Sequence, residues 1–211
     1  MQQQNYQKSA LIIVDIQNDF CEGGSLQVRN SQKVIQQINK LRLKNHFYDY
    51  VFITKDFHPQ NHISFASNHP GKSPFTIIQL QNGKYQELWP DHCVQNTKGS
   101  ELHQDLKVEE NDIIINKGMH SNIDSYSGFG SEGDRTILLE KLQQFGINKI
   151  YICGLAFDFC VGQTVIDAAK NGFEVFVLKD ATEIISEYRE KQINEEFAKF
   201  QNIQIIQCDK L

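Results

Sequence analysis

Lys149-Ile150-Tyr151-Ile152-Cys153-Gly154-Leu155-Ala156-Phe157-Asp158-Phe159-Cys160 decides the fold. Its opening run reads as a buried strand. Beyond it Val161, Thr164, Val165, Ala168 and Ala169 recur at helical spacing until Asn171-Gly172 supplies a C-cap. A strand that feeds directly into a helix is the building unit of a parallel α/β sheet. Cys160 falls at the opening of that helix, where unpaired N–H groups and the positive end of the helix dipole favour a thiolate. The alternative at this position is a small buried cysteine that only packs.

Three other apolar runs end on chemically useful side chains. The run 10–14 leads into Asp15, the run 50–54 into Lys55, Asp56 and His58, and the run 113–115 into Lys117. In an open parallel sheet the carboxyl ends of the strands share one edge, and ligands bind there where the strand order reverses. Asp15, Asp56, His58, Lys117 and Cys160 are therefore expected to converge on one crevice.

Strand-like runs near 10–14, 50–54, 112–115, 149–153, 174–178 and 202–207 alternate along the chain with amphipathic stretches near 31–45, 135–146, 159–171 and 189–200. Such alternation predicts a single-domain, doubly wound α/β fold. Its mainly parallel six-stranded sheet would carry helices on both faces, in a Rossmann-like arrangement. The strands are continuous Val/Ile/Leu runs, as suits a sheet covered on both faces. With 211 residues, 40% of them hydrophobic, the chain can bury a full core. One domain is expected over residues 9–211, after a polar, disordered leader over residues 1–8.

A net charge of -5 and the lack of any Lys/Arg-rich run argue against a nucleic-acid partner. No apolar run approaches the roughly 20 residues that span a bilayer, and no signal-peptide h-region opens the chain. A cytoplasmic protein without a membrane partner is expected. The cysteines at 21, 93, 153, 160 and 208 are odd in number and form no CxxC pair, which leaves Cys160 free to react in a reducing compartment.

The connection between the second and third strands is about fifty residues long, where medians are roughly 4–6, and long loops of that kind are usually functional. It carries Asp56-Phe57-His58-Pro59 and Trp89-Pro90-Asp91-His92-Cys93. Asp56 and His58 lie two apart on an extended run, so both side chains can point to one side. With His92 brought back by the loop they offer one carboxylate and two imidazoles, a donor set suited to Zn, Fe or Mn. Solvated histidines on a polar loop are the other reading of that spacing. Trp89 is the only tryptophan and lies beside His92 in a polar segment, which marks it as a binding residue rather than core.

Asp15-Ile16-Gln17-Asn18-Asp19-Phe20, Gly23-Gly24-Ser25-Leu26, Asp56-Phe57-His58-Pro59, Trp89-Pro90-Asp91-His92-Cys93, Lys117-Gly118, Asp124-Ser125-Tyr126-Ser127-Gly128-Phe129 and Gly154-Leu155-Ala156-Phe157-Asp158-Phe159-Cys160 appear in this order. Together they resemble the nicotinamidases among the isochorismatase-like cysteine hydrolases, over nearly the whole chain. The resemblance implies a nicotinamide amidohydrolase that yields nicotinate and ammonia for NAD salvage through a cysteine thioester, and that also accepts pyrazinamide. It implies a catalytic triad of Asp15, Lys117 and Cys160, with the backbone N–H groups of Ala156 and Cys160 as the oxyanion hole. Asp56, His58 and His92 would hold one divalent transition metal, with zinc the leading candidate and iron or manganese the others. His62 matches a further histidine that some members add, in a supporting position.

By the same resemblance Phe20, Leu26, Trp89, Tyr126 and Leu155 would line the substrate pocket, and Leu155-Ala156 takes the place of the family's cis peptide. Phe157 departs from the threonine more often seen there, and is expected to narrow the pocket. The assembly is compatible with a homo-oligomer. Two alternatives stand beside this reading: a relative that hydrolyses a ureido or carbamoyl substrate with the same triad but without the metal set, and a non-catalytic metal- or small-molecule-binding relative.

Overall fold

The computed structural model describes residues 7–44 and 47–211. Residues 1–6 of the expected leader lie outside the described residues, as do 45–46 at the end of the first expected helix. In chain order the elements are β1 (Lys8–Val14), α1 (Ser31–Leu43), β2 (Tyr50–Asp56), β3 (Ile77–Gln79), β4 (Tyr85–Glu87), β5 (Ile113–Lys117), β6 (Gly130–Ser131) and β7 (Asp134–Arg135). They continue with α2 (Leu138–Gln144), β8 (Ile147–Leu155), α3 (Gly162–Lys170), β9 (Glu174–Glu183), α4 (Glu187–Phe197) and β10 (Ile203–Ile206).

Six strands form the central sheet in the order β10-β9-β8-β1-β2-β5, and every pairing in it is parallel. The chain winds outward from β1 through β2 to β5, then returns to β8 on the other flank of β1 and winds outward again to β10. The order therefore reverses between β1 and β8, the point at which an open sheet leaves a crevice at its carboxyl edge. Residues at alternate positions of β1 face opposite ways. Ala10, Ile12 and Val14 join the core beneath α2, α3 and α4, while Leu11 and Ile13 join the core beneath α1. The period-2 side-chain geometry of a strand buried on both faces explains why its sequence is apolar throughout.

β8 passes close to β1 at Gly154, where φ is +117° and a Cβ would lie 2.1 Å from the Val14 carbonyl oxygen. Only glycine permits that approach. Beyond it the Leu155-Ala156 peptide is cis. Phe157–Val161 then forms a wide π turn, kinked at Phe159 (φ -130°, ψ -106°), before α3 begins at Gly162. Two antiparallel hairpins, β3-β4 and β6-β7, lie outside the central sheet.

Candidate active site

Asp15 follows β1 in a left-handed conformation (φ 50°), a strained arrangement that a non-glycine residue adopts only when its surroundings impose it. The Thr54 hydroxyl at the end of β2 donates to Asp15 Oδ1 at 2.6 Å. Lys117, the last residue of β5, sends its Nζ to Asp15 Oδ2 at 2.9 Å and to Cys160 Sγ at 3.4 Å, and it also forms a close ion pair with Asp56. Asp15, Lys117 and Cys160 are all buried, so the side chains expected from the ends of separate strands do meet.

Burial works against the Lys117 ammonium, but Asp15, Asp56 and Cys160 outweigh it and raise its pKa well above the ordinary value. Burial raises Asp15 above the usual carboxylate range and Asp56 adds to the rise, against the pull of Lys117. Asp56 is driven the other way: burial alone would raise it, yet Lys117 and His58 hold it below the ordinary carboxylate range. The Cys160 thiol is pushed well above its usual value, by burial first and then by the charges of Asp15 and Asp56, with Lys117 opposing. The position also differs from the expected one in a helix's first turn. Cys160 lies on the kinked π turn ahead of α3, where burial and the charges of Asp15 and Asp56 favour the thiol form beside a carboxylate able to take its proton.

Asp56, His58 and His92 bring one ligand atom each to within 4.8 Å of one another. His58 Nδ1 lies 2.8 Å from the Gly118 carbonyl, and His92 Nδ1 lies 2.8 Å from the Pro90 carbonyl. A carbonyl oxygen only accepts, so each Nδ1 carries a proton and Nε2 is the atom each ring would offer a metal. Burial works against the charge on His58, but Asp56 raises its pKa, so a metal there would displace a proton. His58 Nε2 is 3.7 Å from Asp56 Oδ2. Burial, and then the neighbouring His58, lowers His92 to about 4, so this imidazole is neutral as a ligand must be. The donor set and its tautomers thus fit a divalent transition metal.

His62 is not a fourth donor to this set. Its Nδ1 is 2.7 Å from Ser64 Oγ and its Nε2 is 3.1 Å from the Ile123 carbonyl, while its ring stacks on His58 at 4.1 Å. It braces the ligand from behind. Gln17 does the same for Asp56: its Nε2 donates to the Asp56 carbonyl at 2.7 Å and its Oε1 accepts the Asp56 N–H at 2.8 Å.

The metal set and the thiol line one chamber with about 450 Å³ of unfilled space, its open mouth included. Phe20, Leu26, Trp89, Tyr126 and Leu155 line it, together with Ala156. Trp89 Nε1 donates to the Tyr126 hydroxyl at 3.0 Å, which fixes both rings. Phe157 does not line the chamber. It is fully buried in the core and packs edge-on against Phe197 at 5.7 Å. Phe159 supplies the aromatic wall instead, edge-on to Trp89 at 5.1 Å, with the Arg189 guanidinium over its ring, 4.6 Å from the centroid. The kink at Phe159 reverses which aromatic of the Phe157-Asp158-Phe159 run faces the chamber, and no periodicity in the sequence signals such a kink.

A family model described as the Isochorismatase domain matches residues 9–205. The chain belongs to the isochorismatase family. Within this family it is 50% identical to a nicotinamidase of Acinetobacter baylyi over 83% of this chain and 81% of that one. A nicotinamidase pyrazinamidase structure from Acinetobacter baumanii superposes with a TM-score of 0.89 at 41% identity, covering 98% of this chain and 99% of that one. A pyrazinamidase of Pyrococcus horikoshii, solved in complex with zinc, superposes with a TM-score of 0.76 at 37% identity, covering 95% and 99%. Among the family member's described residues no helix is long and apolar enough to cross a membrane.

Proposed function

We propose that this chain is a nicotinamidase that hydrolyses nicotinamide to nicotinate and ammonia and accepts pyrazinamide by the same chemistry. The observation that carries this reading is the contact of Lys117 Nζ with both Asp15 (2.9 Å) and Cys160 (3.4 Å), at the wall of an aromatic chamber that also holds Asp56, His58 and His92. Its 50% identity to a nicotinamidase supports the substrate class.

Cys160 Sγ attacks the carboxamide carbon while Asp15 takes the thiol proton, a transfer suited to a carboxyl whose pKa is raised by burial. The backbone N–H groups of Ala156 and Cys160 receive the developing oxyanion, each such donor contributing about 3–4 kcal/mol. Asp15 returns the proton to the departing ammonia, leaving a nicotinoyl thioester on Cys160. A water that loses its proton to Asp15 then releases nicotinate and the thiol. Throughout, Lys117 stays an ammonium and offsets the charge that Asp15 and the thiolate carry in turn. Phe20, Trp89, Tyr126 and Phe159 enclose the pyridine ring and exclude water.

Asp56, His58 and His92 would hold the metal, with zinc favoured by the zinc-bound pyrazinamidase relative and iron or manganese suited to the same donors. When bound it would supply a Lewis acid for the ring nitrogen and so orient the substrate. We assign the enzyme, as one domain over residues 9–211, to NAD salvage in the cytoplasm, where five unpaired thiols persist. A homo-oligomer is compatible with the site, which one chain completes.

Ammonia release from nicotinamide by the purified, metal-loaded protein, beside Cys160→Ala, tests this function. Turnover by the wild type and none by the variant is expected. Turnover by Cys160→Ala within about tenfold of wild type would remove the nucleophile from the account.

A further inference from the structure

Most polar side chains around the chamber already have work. Asp56, His58 and His92 form the metal set, and Cys160 belongs to the triad. Trp89 and Tyr126 bond each other. Asp124 accepts from the Ser125 N–H at 2.9 Å through Oδ1 and from Gln86 Nε2 at 2.6 Å through Oδ2. Ser125 stands apart: it lines the chamber at 3% exposure, and its Oγ is buried with no hydrogen-bond partner among the described residues. Leaving a buried hydroxyl without a partner is costly, so such groups are rare unless something else occupies them.

The position of Ser125 indicates what that is. Its carbonyl lies 3.4 Å from Lys117 Nζ, which itself touches Asp15 and Cys160, so Ser125 is held at the reacting end of the chamber. A carboxamide brings two N–H donors and one oxygen there. In the mechanism proposed above the oxygen goes to backbone N–H groups and one N–H faces Asp15. The second N–H needs an acceptor in a chamber lined by aromatic rings, and a free serine hydroxyl can accept.

We propose that Ser125 Oγ accepts a hydrogen bond from the carboxamide nitrogen of the substrate, which makes Ser125 a substrate-binding residue that selects for the amide. The proposal rests on the nicotinamidase reading. Aldehydes keep the electrophilic carbon but have no N–H, so they separate this role from a merely shape-filling one. Pyridine-3-carbaldehyde serves as the probe: the Cys160 thiol adds to its carbonyl carbon, and the thiol proton passes to the carbonyl oxygen to give a thiohemiacetal.

The experiment compares wild type with Ser125→Ala and Ser125→Thr, all metal-loaded. For Ser125→Ala, kcat/KM for nicotinamide is expected to fall about 5- to 150-fold, with the inhibition constant of the aldehyde within about twofold of wild type. Ser125→Thr, which restores a hydroxyl, is expected to recover part of the amide rate. Equal losses for amide and aldehyde would show that Ser125 only shapes the chamber, and unchanged constants for both would show that its hydroxyl does not meet substrate. Either result overturns the proposal. Wild-type turnover of nicotinamide, read first, tests the proposed function separately.

Discussion

The two ends of strand β5 carry two buried ion clusters that differ in charge balance. At the entry, Arg42 Nη2 of α1 bonds both oxygens of Asp112, at 2.9 and 2.7 Å, with Glu109 farther off at 3.6 Å. One fully buried cation there meets one buried carboxylate. At the exit, one fully buried cation, Lys117, meets two buried carboxylates, Asp15 and Asp56, and a thiol. A pair balanced in charge locks α1 to the start of β5 and holds no spare carboxylate to take up a proton or a cation. The unbalanced cluster has an excess of negative charge, which favours a metal cation at Asp56 and gives Asp15 and Cys160 a proton to share. Function is located where the fold leaves its buried charge incomplete.

Asp15→Asn breaks the exit cluster with almost no change of shape. Its kcat for nicotinamide is expected to fall by about 10²- to 10⁴-fold, the usual worth of a general base. Asp15 raises the Cys160 pKa, so removing its charge lowers it. The thiolate therefore persists to lower pH, and the midpoint of Cys160 alkylation by iodoacetamide should move down the pH scale as turnover is lost. Movement upward, or full turnover, would break the comparison at its functional end.

His92→Ala removes a metal donor and should reduce turnover at low nicotinamide by about 100-fold or more, beyond the 10- to 100-fold typical of groups that only support a ligand. Metal content by mass spectrometry should fall with it. Benzamide, which has the carboxamide but no ring nitrogen, should be a poor substrate of the metal-loaded wild type. Equal turnover of benzamide and nicotinamide would detach the metal set from the ring.

A smaller effect is expected one residue beyond Lys117. Gly118 has φ +63°, and a Cβ there would lie 2.4 Å from His58 Cε1. Gly118→Ala would displace the imidazole that its carbonyl orients, so metal affinity should drop by about tenfold, as read by chelator competition. Arg42→Ala should leave kcat per folded molecule unchanged. It strands Asp112 without its cation and should destabilise the fold by about 3–5 kcal/mol, visible as a lower Tm.

The exit cluster was readable in sequence because Asp15, Asp56, Lys117 and Cys160 each lie at or shortly beyond the end of an apolar strand, and parallel strands bring their carboxyl ends to one edge. The aromatic wall was readable at Trp89 and Tyr126 through the motifs that carry them. Thr54 was missed because a threonine inside a β-branched strand looks like propensity, although its hydroxyl bonds Asp15. Gln17 was missed because its two bonds to Asp56 join positions 39 residues apart. The exchange of Phe157 for Phe159 depended on a kinked turn that breaks helical periodicity. Arg42 and Asp112 gave no signal either, since a buried ion pair across 70 residues has no local pattern.

The central claim is that Cys160 carries the acyl group during turnover. Acid-quenching the wild type during steady-state hydrolysis of nicotinamide, followed by mass spectrometry of the peptide containing Cys160, measures this directly. A nicotinoyl adduct on Cys160 that is lost on chasing with buffer is the predicted result. Steady turnover with that peptide unmodified, or with the adduct on another residue, would contradict it.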